Sequence, residues 1–137
     1  MGELRKMTHK TAEISLIEGK VIRVIFPENL VLELDQVKKI VKRGVEFCAG
    51  EKFCFLADCR QATVRFSLES RNYLASHRDS GKRIADAVLV STLTDKLIGD
   101  MYSRVHLPEV PTRFFTSEEE AGKWLKANIA IRTFQLN

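Results

Sequence analysis

Apolar and polar positions along the chain alternate with strand spacing in some segments and with helix spacing in others. Residues 13–17 and 21–26 are two short apolar runs on either side of Gly19, a pattern that predicts a β-hairpin turning at the glycine. Pro27 ends the second strand, because proline has no N–H group to donate to a β-ladder. From Leu34 onward, apolar residues recur every three or four positions, and this spacing predicts a first helix.

Three strand-then-helix units follow the first helix. A parallel arrangement of their strands is expected, because a helix occupies each crossover. The predicted fold class is therefore α/β, in the order β-β-α-β-α-β-α-β-α, with a mixed, mostly parallel sheet that carries an N-terminal antiparallel hairpin. The units are strand 53–58 with helix 67–80, strand 87–91 with a helix that ends before Pro108, and strand 112–115 with a helix from Ser117.

The helix before Pro108 has the clearest amphipathic pattern in the chain. Its apolar residues occupy positions i, i+1, i+4, i+5 and i+8, which form one stripe along a helix. A stripe of this kind is typical of a helix that packs on a core, so we expect these side chains to be buried against the sheet. They are Leu97, Ile98, Met101, Tyr102 and Val105.

The composition fits one compact domain. The chain has 137 residues, of which 45% are hydrophobic and 29% are charged. We assign residues 12–130 to this domain, 1–11 to a flexible N-terminal segment, and 131–137 to a C-terminal tail that is either frayed or a short extra strand. No apolar stretch approaches the ~20 residues that span a bilayer, and the charged start does not fit a signal peptide. The expected compartment is therefore the cytoplasm.

Net charge and cysteine spacing disfavour several kinds of ligand. The net charge of +4 comes without a glycine-rich phosphate loop, an RNA-binding motif or a zinc-finger pattern, which disfavours nucleic acid as a partner. Cys48, Cys54 and Cys59 have neither C-x-x-C nor Cys/His spacing, so the sequence predicts no metal site and no cofactor. Cys59 lies at a strand end near Arg60, where a thiolate could be stabilised.

The richest group of polar side chains follows strand 53–58. Asp58 ends this strand, a short loop carries Arg60 and Arg65, and Ser67 begins the next helix. Sites in open α/β sheets are usually built at this carboxyl edge, and two arginines beside a helix N-terminus could hold an anion. In the simpler interpretation, Asp58 caps the turn or pairs with Arg60, and Ser67 is only the helix N-cap.

No catalytic constellation emerges from the sequence. The candidate nucleophiles are Ser67, Cys59 and Ser91, and the candidate bases are His77 and His106. His77 follows Ser67 on the same predicted helix at a separation of about 15 Å, and His106 lies at the far end of the next helix. Proton transfer needs hydrogen-bond reach, about 3 Å. The sequence therefore predicts a protein that is not an enzyme.

The element order and several local sequences resemble the STAS-like domains, the group named for sulfate transporters and anti-sigma-factor antagonists. The resemblance covers residues 13–129 and is strongest to small stand-alone bacterial proteins of unassigned function. The cues are Glu18-Gly19 in the hairpin, Asp58 at a strand end, the strand 87–91, and the ending Pro111-Thr112-Arg113-Phe114-Phe115-Thr116-Ser117 followed by Ala121, Trp124 and Leu125.

In the anti-sigma-factor antagonists, a serine at the comparable helix start is phosphorylated by a partner kinase. The resemblance therefore implies that Ser67 is a candidate phosphosite. The antagonists carry an Asp-Ser-Ser-Gly-like run at this point, whereas this chain has Arg65-Phe66-Ser67-Leu68-Glu69. A phosphate on Ser67 would be favoured by Arg65 and opposed by Glu69.

Two functional hypotheses follow. The leading one is a non-enzymatic, STAS-like regulatory or protein-interaction module of the bacterial cytoplasm, which contacts a protein partner or a second copy through the junction Asp58–Ser67. The alternative is a binder of a small anionic or lipid-like ligand, because STAS-like domains are similar in architecture to CRAL-TRIO lipid-binding domains. The residues that could line such a pocket are Leu97, Met101, Tyr102 and Val105.

Overall fold

Alternating apolar side chains build a mixed sheet that has helices on both of its faces. The computed structural model describes residues 3–8, 12–17, 20–76 and 81–135, and for 3–8 and 132–135 it describes the backbone alone. In chain order the elements are β1 (Glu3–Thr8), β2 (Glu13–Ile17), β3 (Val21–Ile25), β4 (Leu30–Leu32), α1 (Leu34–Phe47), β5 (Phe53–Asp58), β6 (Val64–Phe66), α2 (Leu68–Leu74), β7 (Arg83–Leu89), α3 (Leu93–His106), β8 (Thr112–Phe115) and α4 (Glu118–Gln135).

Six strands form the main sheet in the order β1-β2-β3-β5-β7-β8, and β4 pairs with β6 in a separate two-stranded sheet. The pairs β1–β2 and β2–β3 are antiparallel, whereas β3, β5, β7 and β8 run parallel to one another. Ile17 pairs with Val21 as the predicted hairpin requires, and the predicted turn at Glu18 and Gly19 lies outside the described residues. The mixed α/β class and its parallel core are confirmed.

The central strand β5 contributes to a core on each side of the sheet. Phe53 and Phe55 belong to the core beneath α1, and Cys54 and Leu56 belong to the core beneath α4. Gly44 allows α1 to approach closely, because a Cβ at this position would lie 2.9 Å from Cε2 of Phe53. This contact explains why a glycine is found in the interior of α1.

The apolar stripe of α3 faces away from the sheet, so the prediction that it is buried is wrong. The five side chains of the predicted stripe are 40% to 70% exposed. Leu97 is 56%, Ile98 62%, Met101 66%, Tyr102 40% and Val105 70% exposed.

The opposite and more polar side of α3 rests on the edge strand β8. Gly99 is buried against the ring of Phe114. The Asp100 carboxylate accepts hydrogen bonds from the backbone N–H of Phe114 at 3.0 Å and from the Lys96 ammonium at 2.8 Å. A glycine and a paired carboxylate can thus hold the helix on the sheet, which leaves the apolar stripe without a covering layer in the described chain.

The described parts of both terminal segments are more regular than the sequence predicts. Residues 1–11 are expected to be flexible, but Glu3–Thr8 form β1, which pairs with β2. A polar segment can form an edge strand because backbone hydrogen bonds attach it to the sheet, and charged side chains are common there. Residues 131–135 continue α4 instead of forming a frayed tail or an extra strand, because no glycine or proline follows Gly122.

Two central elements also differ from their predicted bounds. Helix α2 ends at Leu74, whereas the sequence predicts a helix to residue 80, and residues 77–80 lie outside the described chain. Strand β7 begins at Arg83, four positions before the predicted start. The charged residues Arg83 and Asp86 interrupt the apolar pattern that predicts a buried strand. In the fold they can be buried because they form an ion pair with each other.

Candidate functional site

Asp58 ends β5 with its side chain turned toward the α4 side of the sheet, and it is only 3% exposed. Arg60 binds this carboxylate with both ends of its guanidinium. Its Nε donates to Oδ1 at 2.9 Å, and its Nη2 donates to Oδ2 at 2.7 Å. The backbone N–H of Arg60 adds a third hydrogen bond, to Oδ1 at 3.1 Å. The predicted pairing of Asp58 with Arg60 is therefore confirmed.

Two further charged residues extend this pair into a network across the sheet. Arg23 of β3 lies 3.8 Å from Asp58 Oδ2 and 2.8 Å from Glu118 Oε1 at the start of α4. Glu118 also lies 3.5 Å from the Arg60 guanidinium. Burial tends to raise the pKa of Asp58, but the hydrogen bonds and charge of Arg60, with the charge of Arg23, outweigh it and hold the pKa below its ordinary value.

Ser67 lies on the other side of the sheet, where it caps α2. Its hydroxyl accepts from the backbone N–H of Ser70 at 3.1 Å and donates to the Ser70 hydroxyl at 2.8 Å. The Ser70 hydroxyl in turn donates to the carbonyl of Leu32 at 2.9 Å. The predicted N-cap is confirmed, and Ser67 joins α2 to β4.

The predicted site residues thus fall into separate groups. Asp58 and Arg60 form the ion-pair network beside α4, Ser67 caps α2, and Arg65 is exposed on β6. The guanidinium of Arg60 is directed to carboxylates and not toward Ser67. The arrangement gives no common cradle in which Arg60, Arg65 and the α2 N-terminus hold one anion.

The candidate nucleophiles Cys59 and Ser91 are buried or hydrogen-bonded within the fold. Burial raises the pKa of Cys59 to about 12, which keeps its thiol neutral at physiological pH and removes the expected reason for a stabilised thiolate. The Ser91 hydroxyl donates to the carbonyl of Arg60 at 3.0 Å. Of the two candidate bases, His106 lies at the end of α3, and His77 lies outside the described residues.

A large apolar surface lies on α3 and its C-cap residue, and it includes the five side chains that the sequence predicts to be buried. We call it the α3 face, and its seven side chains are 40% to 79% exposed. Exposed apolar patches of more than a few hundred Å² are uncommon in monomeric proteins and mark contact sites. The sequence signal that could have revealed it is the position of Gly99 and Asp100 on the opposite side of the helix. The α3 face comprises Leu93, Leu97, Ile98, Met101, Tyr102, Val105 and Leu107.

A cavity of about 340 Å³ lies between the sheet and helices α1, α2 and α3. It forms because α3 is held on the edge strand β8, so the helices leave part of the central strands uncovered. Four residues are predicted to line a pocket from the resemblance to CRAL-TRIO domains, and all four belong to the α3 face. Of these, Tyr102 also lines this cavity, whereas Leu97, Met101 and Val105 do not. The lining includes Val24, Ala57, Val88 and Phe114 from the sheet, Val37 and Ile40 from α1, Arg71 and Leu74 from α2, and Tyr102 and His106 from α3.

A family model described as a domain of unknown function, DUF7793, matches residues 15–129. The chain belongs to the DUF7793 family. The matched region begins in β2 and ends within α4, so it contains both the ion-pair network and the α3 face. No curated protein matches the chain.

This DUF7793 domain is similar in fold to a solved structure from another family. It is the crystal structure of an uncharacterized protein from the DUF3478 family with a SpoIIAA-like fold, from Shewanella loihica PV-4. The TM-score is 0.56 and the sequence identity 14%, over 83% of this chain and 91% of that chain. At this identity the likeness shows the fold alone, and it confirms the STAS-like architecture.

The described part of the DUF7793 domain carries few other features of functional sites. Within residues 3–8, 12–17, 20–76 and 81–135, no helix is both long enough and apolar enough to cross a membrane. The same residues contain no group of three or more His, Cys, Asp or Glu side chains that could hold a metal ion.

Proposed function

We propose that this DUF7793 domain is a non-enzymatic regulatory module of the bacterial cytoplasm that acts through protein contact, and that the α3 face packs against a second copy of the chain. The observation that carries the proposal is the exposure of seven large apolar side chains, six on α3 and one on its C-cap residue Leu107. A SpoIIAA-like fold is compatible with such a module. Water-exposed apolar surface is unfavourable, and association removes it from water.

The α3 face has the size that a stable interface needs. If a whole apolar side chain presents roughly 100 Å² of surface, seven side chains exposed at 40% to 79% present roughly 400 Å². Interfaces between identical chains are about 65% apolar, so the complete contact would cover roughly 600–700 Å² on each copy. A standard interface covers about 800 Å² on each partner.

The charges on α3 favour a second copy in antiparallel orientation. Asp95 lies in the first turn of the helix, and Arg104 and His106 lie in its last turn. When two copies cross in opposite directions, the acidic end of one helix meets the basic end of the other. The helix dipoles are then also antiparallel, with each positive end near a negative end.

The predicted contact region at the junction Asp58–Ser67 receives less support from the geometry. Asp58 and Arg60 neutralise each other, and the Ser67 hydroxyl is used in the cap of α2. Charged groups that are already paired gain little from a partner, since the partner must first displace the existing bonds. On the α3 face only the Tyr102 hydroxyl has a side-chain hydrogen bond, from Arg71. The other six side chains are aliphatic or thioether groups with no charge to displace, and for this reason we place the interface there.

The experiment is a measurement of molar mass in solution, by light scattering on a size-exclusion column. The wild-type chain should be a dimer, and Ile98→Ser should be a monomer with unchanged circular dichroism, because Ile98 is 62% exposed and does not support the core. The matched control is Val31→Ser, which changes a 51% exposed side chain on β4 and should remain a dimer. A monomeric wild-type chain would refute the proposal that a second copy covers the α3 face. If the wild type, but not Ile98→Ser, then captured a different protein, that protein would be the partner of the α3 face.

A further inference from the structure

The cavity beneath α3 interrupts the packing of the central sheet. Protein interiors are close-packed, and voids much larger than a water molecule are few. Here about 340 Å³ is open above Ala57 of β5 and Val88 of β7, which are only half-buried although their strands lie in the middle of the sheet. Their neighbours Leu56 and Leu89 point to the other side and are fully buried. The gap is thus confined to the side of the sheet that α3 fails to cover.

The lining of the cavity is mainly apolar, with one linked group of polar side chains. Arg71 of α2 donates from Nη1 to the Tyr102 hydroxyl of α3 at 3.3 Å, and its guanidinium lies 5.7 Å from the centre of that ring. The Tyr102 ring also contacts the His106 ring, with 4.1 Å between their centres. All three residues line the cavity, so they place a cationic and hydrogen-bonding group beside an apolar chamber.

We propose that this cavity binds a medium-chain fatty acid. The alkyl chain lies over Ala57 and Val88, and the carboxylate accepts hydrogen bonds from Arg71. A guanidinium is suited to this role, because it remains charged and donates to both carboxylate oxygens. The acidic residue in the lining, Asp86, is itself paired with Arg83.

The volume of the cavity limits the length of the alkyl chain that it can hold. An apolar cavity of about 150 Å³ holds one benzene molecule, which has six carbon atoms. By proportion, about 340 Å³ accommodates about fourteen non-hydrogen atoms. Dodecanoate has this number. Each added methylene up to dodecanoate should strengthen binding about fourfold, and longer chains should gain nothing because the cavity is full.

The test measures binding of free fatty acids to the full chain by titration calorimetry, below their critical micelle concentrations. The proposal predicts one site per chain and an affinity that rises from octanoate to dodecanoate and then levels off. Arg71→Gln should weaken dodecanoate binding about tenfold and leave the binding of dodecanol unchanged. The control Arg43→Gln removes an arginine that pairs with Glu46 on the surface of α1, and should bind dodecanoate as the wild type does.

Two variants locate the site. Ala57→Leu fills the cavity and should abolish binding while the chain stays folded by circular dichroism, whereas Ile98→Ser on the α3 face should bind normally. Absence of saturable dodecanoate binding would overturn the proposal. So would an affinity that continues to rise with chain length, or binding that is lost in Ile98→Ser and retained in Ala57→Leu. Adsorption of the chain to anionic phospholipid vesicles without any binding of free dodecanoate would overturn it as well, in favour of a membrane surface.

Discussion

Gly99 is one of the residues through which α3 contacts the sheet, and its replacement by alanine tests how the helix is held. A Cβ at this position would lie 2.4 Å from both Cγ and Cδ2 of Phe114. Carbon atoms in contact are about 3.5–4.0 Å apart. The helix or the ring must therefore move by about 1 Å or more to accept the methyl group.

Two opposing effects determine the change in the free energy of unfolding. In a helix interior, Gly→Ala normally stabilises by about 0.8–1.0 kcal/mol. Overpacking a tight contact costs about 1–3 kcal/mol. We expect Gly99→Ala to lower the free energy of unfolding by about 0–2 kcal/mol in the wild-type background. In a Phe114→Ala background the ring is absent, and the same substitution should stabilise the protein by about 1 kcal/mol.

The assay is urea unfolding followed by the fluorescence of Trp124, the one tryptophan of the chain. Trp124 contacts Phe115 with ring centres 5.7 Å apart, so it reports on the packing of α4 against β8. Protein concentration must be equal in all samples, because a self-associating chain gains stability with concentration. The coupling between Gly99 and Phe114 should be about 1–3 kcal/mol. An equal effect of Gly99→Ala in both backgrounds would refute the proposed seating of α3.

Three other predictions concern the junction that follows β5. Asp58→Asn should lower the free energy of unfolding at neutral pH by about 2 kcal/mol. The lowered pKa of Asp58 in the folded chain stabilises the fold above the ordinary pKa, and this gain is lost as the pH falls below about 4, so the variant should lose less stability in acid than the wild type. Urea unfolding from pH 2 to 7 measures this difference, and an unchanged acid profile would contradict it. Ser67→Ala should lower the free energy of unfolding by about 1 kcal/mol in the same assay, because the α2 cap is lost. Peptide mapping from native cells that finds no phosphate on Ser67 would end its candidacy as a phosphosite. Cys59 should react with iodoacetamide at pH 8 much more slowly in the folded than in the unfolded chain, because its pKa is raised to about 12; equal rates would show that the thiol is accessible.

The sequence was sufficient for the parts of the fold that have long periodic patterns. The hairpin, the parallel strands and the helix start at Ser67 all follow from local residue types. Strands β4 and β6 have only three residues each, which is too short for an alternating pattern to show. The first half of β7 was missed because Arg83 and Asp86 are read as surface charges until the fold pairs them.

The candidate site was harder to predict, because it depends on which side of the sheet each residue faces. Asp58 has the same parity along β5 as Cys54 and Leu56, so it points toward α4. Ser67 follows β6 and caps a helix on the other side. Closeness in sequence suggested one site, whereas strand alternation separates the two side chains.

The α3 face shows the limit of hydrophobic periodicity more clearly. An amphipathic stripe indicates that one side of a helix avoids water, but it does not distinguish a core from an interface. In α3 the opposite side of the helix shows that the stripe is not core, because Gly99 and Asp100 on that side attach the helix to β8. The cavity likewise depends on the lateral position of α3, which no local pattern encodes.

The most direct test of the interface is a disulfide between two copies at Met101. This residue is 66% exposed and lies near the middle of the α3 face, so in an antiparallel pair it should lie close to its counterpart. We predict that Met101→Cys forms a covalent dimer rapidly under mild oxidation, whereas Val31→Cys, at a 51% exposed position on β4, remains uncoupled under the same conditions. Equal and slow coupling of both variants would contradict the claim that the α3 face joins two copies of this domain.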